Sequence, residues 1–297
     1  MRELTLAAAQ RPPLPIGTPV AVLAADVAQT LASHPGVDLL VYPELHLFDA
    51  IGDDEVERAR SLRDSAVPLD GPMVHELGAL ARDAGVWLIP GSICELGPSG
   101  ELFNTALVFD PSGHLVASYR KVFPWRPFEP YDPGDRFVVV DLPGTGRIGI
   151  SICYDAWFPE VTRHLAWMGA ELVVNVVKTT TPDREQEVVL AHANSIVNQT
   201  FTLSVNCAGP TGRGRSVLVD PEGATLAELD DARTDTLIAR IDLDQVAGVR
   251  RVGTAGTNRM WEQLRADDRP IALPLYAGEL TPSRWRIAAP PSSESPS

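Results

Sequence analysis

Apolar and polar positions follow two rhythms along the chain. Short runs dominated by apolar residues read as strands: Leu4-Thr5-Leu6-Ala7-Ala8-Ala9-Gln10, Val37 to Tyr42, Val86 to Gly91, Leu172 to Val177 and Phe201 to Asn206. Stretches with helical spacing lie between them, at residues 19–34, 53–64 and 71–84, from Pro159 to Met168, and at 183–199. His34-Pro35-Gly36, Ala84-Gly85 and Gly169 end three of these helices. Two hairpins read from the middle of the chain. Phe103–Phe109 and His114–Tyr119 flank Asp110-Pro111-Ser112-Gly113, and Phe137–Asp141 and Arg147–Ile152 flank Pro143-Gly144-Thr145-Gly146. A third turns at Asp220-Pro221-Glu222-Gly223, and Leu237 to Ile241 is a late strand. Interleaved strands and helices predict an α/β fold of mixed sheets with helices on their outer faces. No linker precedes residue 277, so 1–276 reads as one domain and 277–297 as a C-terminal extension. From about residue 288 that extension is rich in Pro and Ser and is expected to be disordered.

A chain of 297 residues, 44% hydrophobic, has the means to bury a large core. Its net charge of -14 repels phosphate backbones and anionic lipid surfaces, so neither a nucleic acid nor a membrane is an expected partner. The cysteines are Cys94, Cys153 and Cys207, an odd number with no CxxC pair and no histidine at ligand spacing. That disfavours a disulfide framework and a zinc site. No apolar run reaches the roughly 18 residues of a membrane span, and the N-terminus lacks a signal-like apolar stretch. A cytoplasmic protein with reduced thiols is expected.

Three segments place a reactive side chain just after a strand-like run: Tyr42-Pro43-Glu44, Tyr119-Arg120-Lys121 and Ile152-Cys153-Tyr154-Asp155. A carboxylate, an ammonium and a thiol suffice for acyl transfer from an amide. Each also has a plainer reading. Cys153, at a strand-to-helix turn, is either a nucleophile with a lowered pKa or a small buried hydrophobe. Glu44 is either a general base or, more plainly, half of a buried ion pair or a helix N-terminal cap. Lys121 is either a solvated strand end or, among Val122-Phe123-Pro124-Trp125, a desolvated and paired cation. Glu129 lies in a Pro- and aromatic-rich loop that either shields a pocket or merely carries an exposed acid. Cys94 and Cys207 read as core or pocket wall, as does His46.

In this order the three segments resemble the nitrilase superfamily, the carbon–nitrogen hydrolases with a Glu-Lys-Cys triad. Phe158-Pro159-Glu160, Gly91-Ser92 with Glu95, Asn104-Thr105, Pro133-Gly134-Asp135, Val205-Asn206 and Gly214-Arg215-Ser216 fit as well. The resemblance covers roughly residues 4 to 245. It implies a four-layer αββα sandwich that pairs into homodimers or larger homo-oligomers, with no metal or organic cofactor. It also implies a thioester mechanism with Glu44, Lys121 and Cys153 as the triad and Glu129 as a second glutamate. Trp125, Tyr154 and Lys178 are then expected to bind substrate, Lys178 either through a substrate carboxylate or, instead, left solvated or paired with a nearby acid.

Cys-Tyr-Asp, and Lys121 followed by Pro124-Trp125 and Glu129, are similar to aliphatic amidases and formamidases. A small primary amide is therefore the expected substrate. N-carbamoyl amine or amino-acid hydrolysis, acyl transfer to another acceptor, and a non-catalytic binding subunit are the alternatives. One departure stands out: Ala193-Asn194-Ser195-Ile196-Val197-Asn198 lacks the Arg and Glu that the family often carries there.

Overall fold

The computed structural model describes residues 1–50, 54–280 and 284. The first half builds all but one strand of one sheet. β1 (Glu3–Gln10) is followed by α1 (Val20–Ser33), β2 (Leu39–Val41), α2 (Glu55–Asp64), α3 (Pro72–Ala84) and β3 (Trp87–Ile89). β4 (Ser92–Leu96), β5 (Leu102–Phe109) and β6 (Leu115–Arg120) complete that run. The second half continues with β7 (Val138–Leu142), β8 (Gly146–Ile152), α4 (Pro159–Trp167), β9 (Leu172–Val177), α5 (Arg184–Asn198) and β10 (Phe201–Asn206). β11 (Val217–Val219), β12 (Thr225–Glu228), β13 (Asp235–Asp242), α6 (Asp244–Val252), β14 (Ile271–Leu273) and β15 (Gly278–Leu280) follow.

Two large mixed sheets result. The first runs β13-β1-β2-β3-β5-β4, with β6 also on β5, and the second runs β12-β11-β10-β9-β8-β7. Strand alternation decides how they pack. Leu4, Leu6 and Ala8 of β1 turn inward with Val41, and meet Ile148, Ile150 and Ile152 of β8 and Leu172, Val174 and Val176 of β9. Ala7, Ala9 and Leu40 point the other way, onto Leu23 and Val27 of α1 and Leu77 and Ala81 of α3. On the far side, Val161 and Leu165 of α4 pack on Val173, and Val188 and Ala191 of α5 on Val217 and Val219. The order is helix, sheet, sheet, helix, the expected αββα sandwich.

Local chemistry sets the ends of the elements. Gly71 and Pro72 open α3 and Gly85, at φ +67°, closes it. β9 and β10 span the residues expected of them, whereas the Val37–Tyr42 run pairs only over Leu39–Val41. β4 and α6 were not expected from the pattern. The β14–β15 hairpin bridges residues 276 and 277, where the sequence suggested an extension would begin. The tail expected to be disordered from 288, and residue 53 of the second expected helix, lie outside the described residues.

Candidate active site

Glu44, Lys121 and Cys153 each follow directly on the end of a strand or its exit, and the topology brings those ends together. Glu44 leaves β2 and Lys121 leaves β6 in the first sheet, while Cys153 leaves β8 in the second. The Glu44 turn is held from behind: Leu45, at φ +49°, donates its N–H to Ser92 Oγ at 2.9 Å. Gly91 lies against the same turn, at φ +88°, where a Cβ would stand 1.8 Å from the Pro43 carbonyl oxygen. Only glycine fits there.

Lys121 is fully buried and its ammonium joins two carboxylates. Nζ donates to Glu44 Oε1 at 3.1 Å and to Glu129 Oε1 and Oε2 at 2.8 and 2.9 Å. Burial works against the charge, but Glu44 and Glu129 outweigh it and hold the lysine well above its usual value. Glu44 also accepts from Asn104 Nδ2 at 2.8 Å on Oε1 and from the Lys178 N–H at 2.8 Å on Oε2. Glu129 Oε2 accepts the Trp125 N–H at 2.8 Å, which ties the aromatic loop to the acid it carries.

Cys153 begins a 3-10 turn, Cys153–Trp157, with its own backbone in the left-handed region at φ +48°. That conformation costs an L-residue energy and recurs at functional sites. The turn is braced by Asp155, whose carboxylate accepts from the Ile152 N–H, the Phe123 N–H and the Tyr119 hydroxyl. Asn194 Nδ2, in the segment that departs from the family pattern, donates to the Ala156 carbonyl at 3.0 Å.

The expectation that the turn lowers the Cys153 pKa is corrected. Burial, then the Glu44 charge, push the thiol well above its ordinary value, and Lys121 pulls the other way without prevailing. α4 begins only at Pro159, beyond the 3-10 turn, so its positive end does not sit at the sulfur. The resting group is a thiol beside a carboxylate. Cys94 and Cys207 are buried, each thiol pushed up to about 12 by burial.

A cavity of about 50 Å³ opens onto this cluster. Cys153, Tyr154, Trp125, Glu129 and Lys178 line it, as does Glu187. Glu44 and Lys121 are buried, joined to the lining by the hydrogen bonds above. The seven residues singled out in the sequence thus converge on one place. Lys178 presents no free ammonium there: Nζ meets Asp49 Oδ1 at 2.8 Å, the pairing with a nearby acid that was one of its expected fates. Sequence reading assigned no role to Asn104, Asp155 or Glu187, although Asn104 and Asp155 stand inside the family-like segments. Among the described residues no cluster of His, Cys, Asp and Glu is arranged to hold a metal, and no helix is long and apolar enough to cross a membrane.

Known proteins resemble this chain in sequence and in fold. The formamidase of Pseudomonas syringae pv. tomato is 33% identical over 217 residues, 71% of this chain and 62% of the relative. The chain therefore spans about three-fifths of that relative's length. Nit3 of Saccharomyces cerevisiae, a member of branch 10 of the nitrilase superfamily, shares the fold with a TM-score of 0.76 at 23% identity, over 87% of this chain and 97% of its own. The amidase from Nesterenkonia sp. AN1 has been solved with the acetamide moiety of fluoroacetamide added covalently at the active site cysteine. It matches with a TM-score of 0.66 at 25% identity, over 84% of this chain and 94% of its own. The profile of the carbon-nitrogen hydrolase family matches residues 5–251, and the chain belongs to that family.

Proposed function

We propose that this protein hydrolyses short primary amides to a carboxylic acid and ammonia through a thioester on Cys153. The observation that carries the proposal is the buried Lys121 ammonium held between Glu44 and Glu129, beneath a cavity that Cys153 lines. In the first half-reaction Glu44 takes the thiol proton as Sγ attacks the amide carbonyl carbon. Lys121 and the main-chain N–H of Tyr154, in the first turn of the 3-10 segment, stabilise the oxyanion. The C–N bond breaks and the nitrogen leaves as ammonia with the proton that Glu44 returns. Water then attacks the thioester, again giving its proton to Glu44, and the acid departs as the thiol is restored. Glu129 orients the amide nitrogen and later the water.

Cavity size and charge favour a short acyl chain. About 50 Å³ holds roughly three or four water-sized groups, the bulk of formamide or acetamide. An N-carbamoyl amino acid needs a cation for its carboxylate, and the ammonium of Lys178 is engaged by Asp49. The formamidase and amidase relatives support the same reading. A homodimer forms part of the proposal: α5 turns Val189, Ile196 and Val197 outward, all exposed, and equilibrium sedimentation tests it.

The test is ammonia release from a series of amides, N-carbamoyl compounds and nitriles, with Cys153→Ala as control. Turnover should be greatest on formamide or acetamide, fall with chain length and vanish in the variant. Turnover confined to carbamoyl compounds, or undiminished in Cys153→Ala, would overturn the proposal.

A further inference from the structure

Among the described residues Glu44 has three hydrogen-bond donors, and one of them comes from the sheet that carries Cys153. Asn104 in β5 and Lys121 after β6 belong to the first sheet; the Lys178 N–H, just after β9, belongs to the second. Lys178 is itself held twice by the same short segment. Its N–H donates to Glu44 Oε2 and its Nζ pairs with Asp49 Oδ1, both at 2.8 Å. Asp49 is fixed in turn: its N–H donates to the Leu14 carbonyl at 2.9 Å, and its carbonyl accepts from the Ile16 N–H at 3.2 Å.

We infer that Lys178 and Asp49 form a positioning pair for the base, a clasp between the two sheets that sets Glu44 against Cys153. The inference rests on Glu44 as base and Cys153 as nucleophile. A main-chain donor is only as well placed as its backbone, and the ion pair anchors that backbone. The pair also keeps a second ammonium away from the Glu44 carboxylate, where it would compete with Lys121. Two neighbours add no charge of their own at neutral pH: burial lowers His46 to about 4, so it stays neutral, and raises Cys207, which remains a thiol. With Nζ engaged by Asp49, Lys178 lines the cavity without being a carboxylate receptor.

The experiment compares Asp49→Asn, Lys178→Met and Lys178→Arg with the wild type in three measurements. These are kcat and KM on a small amide, the pH profile of Cys153 alkylation by iodoacetamide, and the thermal midpoint. Asp49→Asn and Lys178→Met should each lower kcat about 10- to 100-fold with KM nearly unchanged, and shift the alkylation profile. Combining the two should cost no more than either alone, since they act as a unit. Lys178→Arg, which still pairs with Asp49, should restore most of the rate. A rise in KM with kcat intact would make Lys178 a substrate contact and overturn the inference, as would wild-type rates and alkylation in both variants. Should a variant unfold, Cys94 and Cys207 would alkylate alongside Cys153, and Lys178→Arg then decides: full activity supports the clasp, and a loss as deep as in Lys178→Met overturns it. Alkylation does not depend on which amide is the substrate. A wild type inert to every amide, with the variants still shifting the alkylation profile, would remove the proposed function and leave the clasp.

Discussion

The Tyr119 hydroxyl donates to Asp155 Oδ2 at 2.7 Å, joining the strand that delivers Lys121 to the turn that delivers Cys153. The Phe123 N–H, on the other side of Lys121, reaches Oδ1 of the same carboxylate at 2.9 Å. Burial pushes the Asp155 carboxyl up to about 6, against the opposing pull of Lys121 and of its three donors. Its folded value therefore lies above the unfolded value of about 4, and the fold favours the protonated form. The contribution to stability is fully present below about pH 4 and is lost as the pH rises through about 6, a change of roughly 3 kcal/mol. Asp155→Asn does not titrate. The stability of the wild type relative to this variant, from urea unfolding at a series of pH values, should fall across that window. A difference that stays constant would refute the assignment.

Glu44 acts on Cys153 in two opposed ways. As the proposed base it would take the thiol proton during attack; as a fixed negative charge it raises the thiol pKa of the resting protein, second only to burial. Glu44→Gln removes both. Amide turnover should fall by about 10²- to 10⁴-fold. The midpoint of the alkylation profile should nevertheless move to lower pH, because the neighbouring Lys121 then acts with less opposition. Peptide mass mapping after iodoacetamide treatment reads this directly, with Cys94 and Cys207 as internal standards. An unchanged or higher midpoint would show that Glu44 does not act on the sulfur.

Local pattern carried the architecture further than it carried the site. β9 and β10 were legible because each is a run of six residues buried throughout. β4 was missed because Ser92 and Glu95 are polar, yet both are buried by tertiary partners: Ser92 holds Leu45, and Glu95 pairs with Arg120. The order of Glu44, Lys121 and Cys153 was visible, as was the strand that each follows. The contacts that decide their chemistry were not. Asn104 and Glu44 lie 60 residues apart, and Lys178 and Asp49 lie 129 apart, so no window of sequence contains either pair. The Cys153 pKa was misjudged for a related reason. The turn was read from the chain, but burial and the approach of Glu44 come from the fold.

Gly91 links backbone conformation to the position of the proposed base. Its positive φ and the close Pro43 carbonyl both exclude a side chain. Gly91→Ala should lower stability by more than about 1 kcal/mol and displace the Pro43-Glu44 turn, reducing kcat as well. Thermal unfolding with steady-state kinetics checks both effects. A variant with unchanged midpoint and activity would mean that the turn accommodates the methyl group by relaxing away from β4.

Glu187 and Arg184 set a different problem, a buried ion pair at the wall of the cavity. Arg184 Nη1 donates to Glu187 Oε2 and to Ser204 Oγ, each at 3.0 Å, while Nε and Nη2 reach the carbonyls of Gly214 and Arg215. Glu187 also accepts the Thr179 hydroxyl, next to Lys178. Burial, with a smaller push from the Arg215 charge, lowers the Arg184 pKa, and Glu187 counters that effect. Glu187→Ala would strand the guanidinium in the interior, at a cost of about 3–5 kcal/mol in urea unfolding. Replacing both residues, Arg184→Met with Glu187→Leu, removes the desolvated charges together and should be less destabilising than Glu187→Ala alone. The order of those two stabilities separates a pair retained for its charge balance from one whose members contribute independently. If the double variant is the less stable by the sum of the single losses, Arg184 and Glu187 are not coupled and the wall is held by their separate hydrogen bonds.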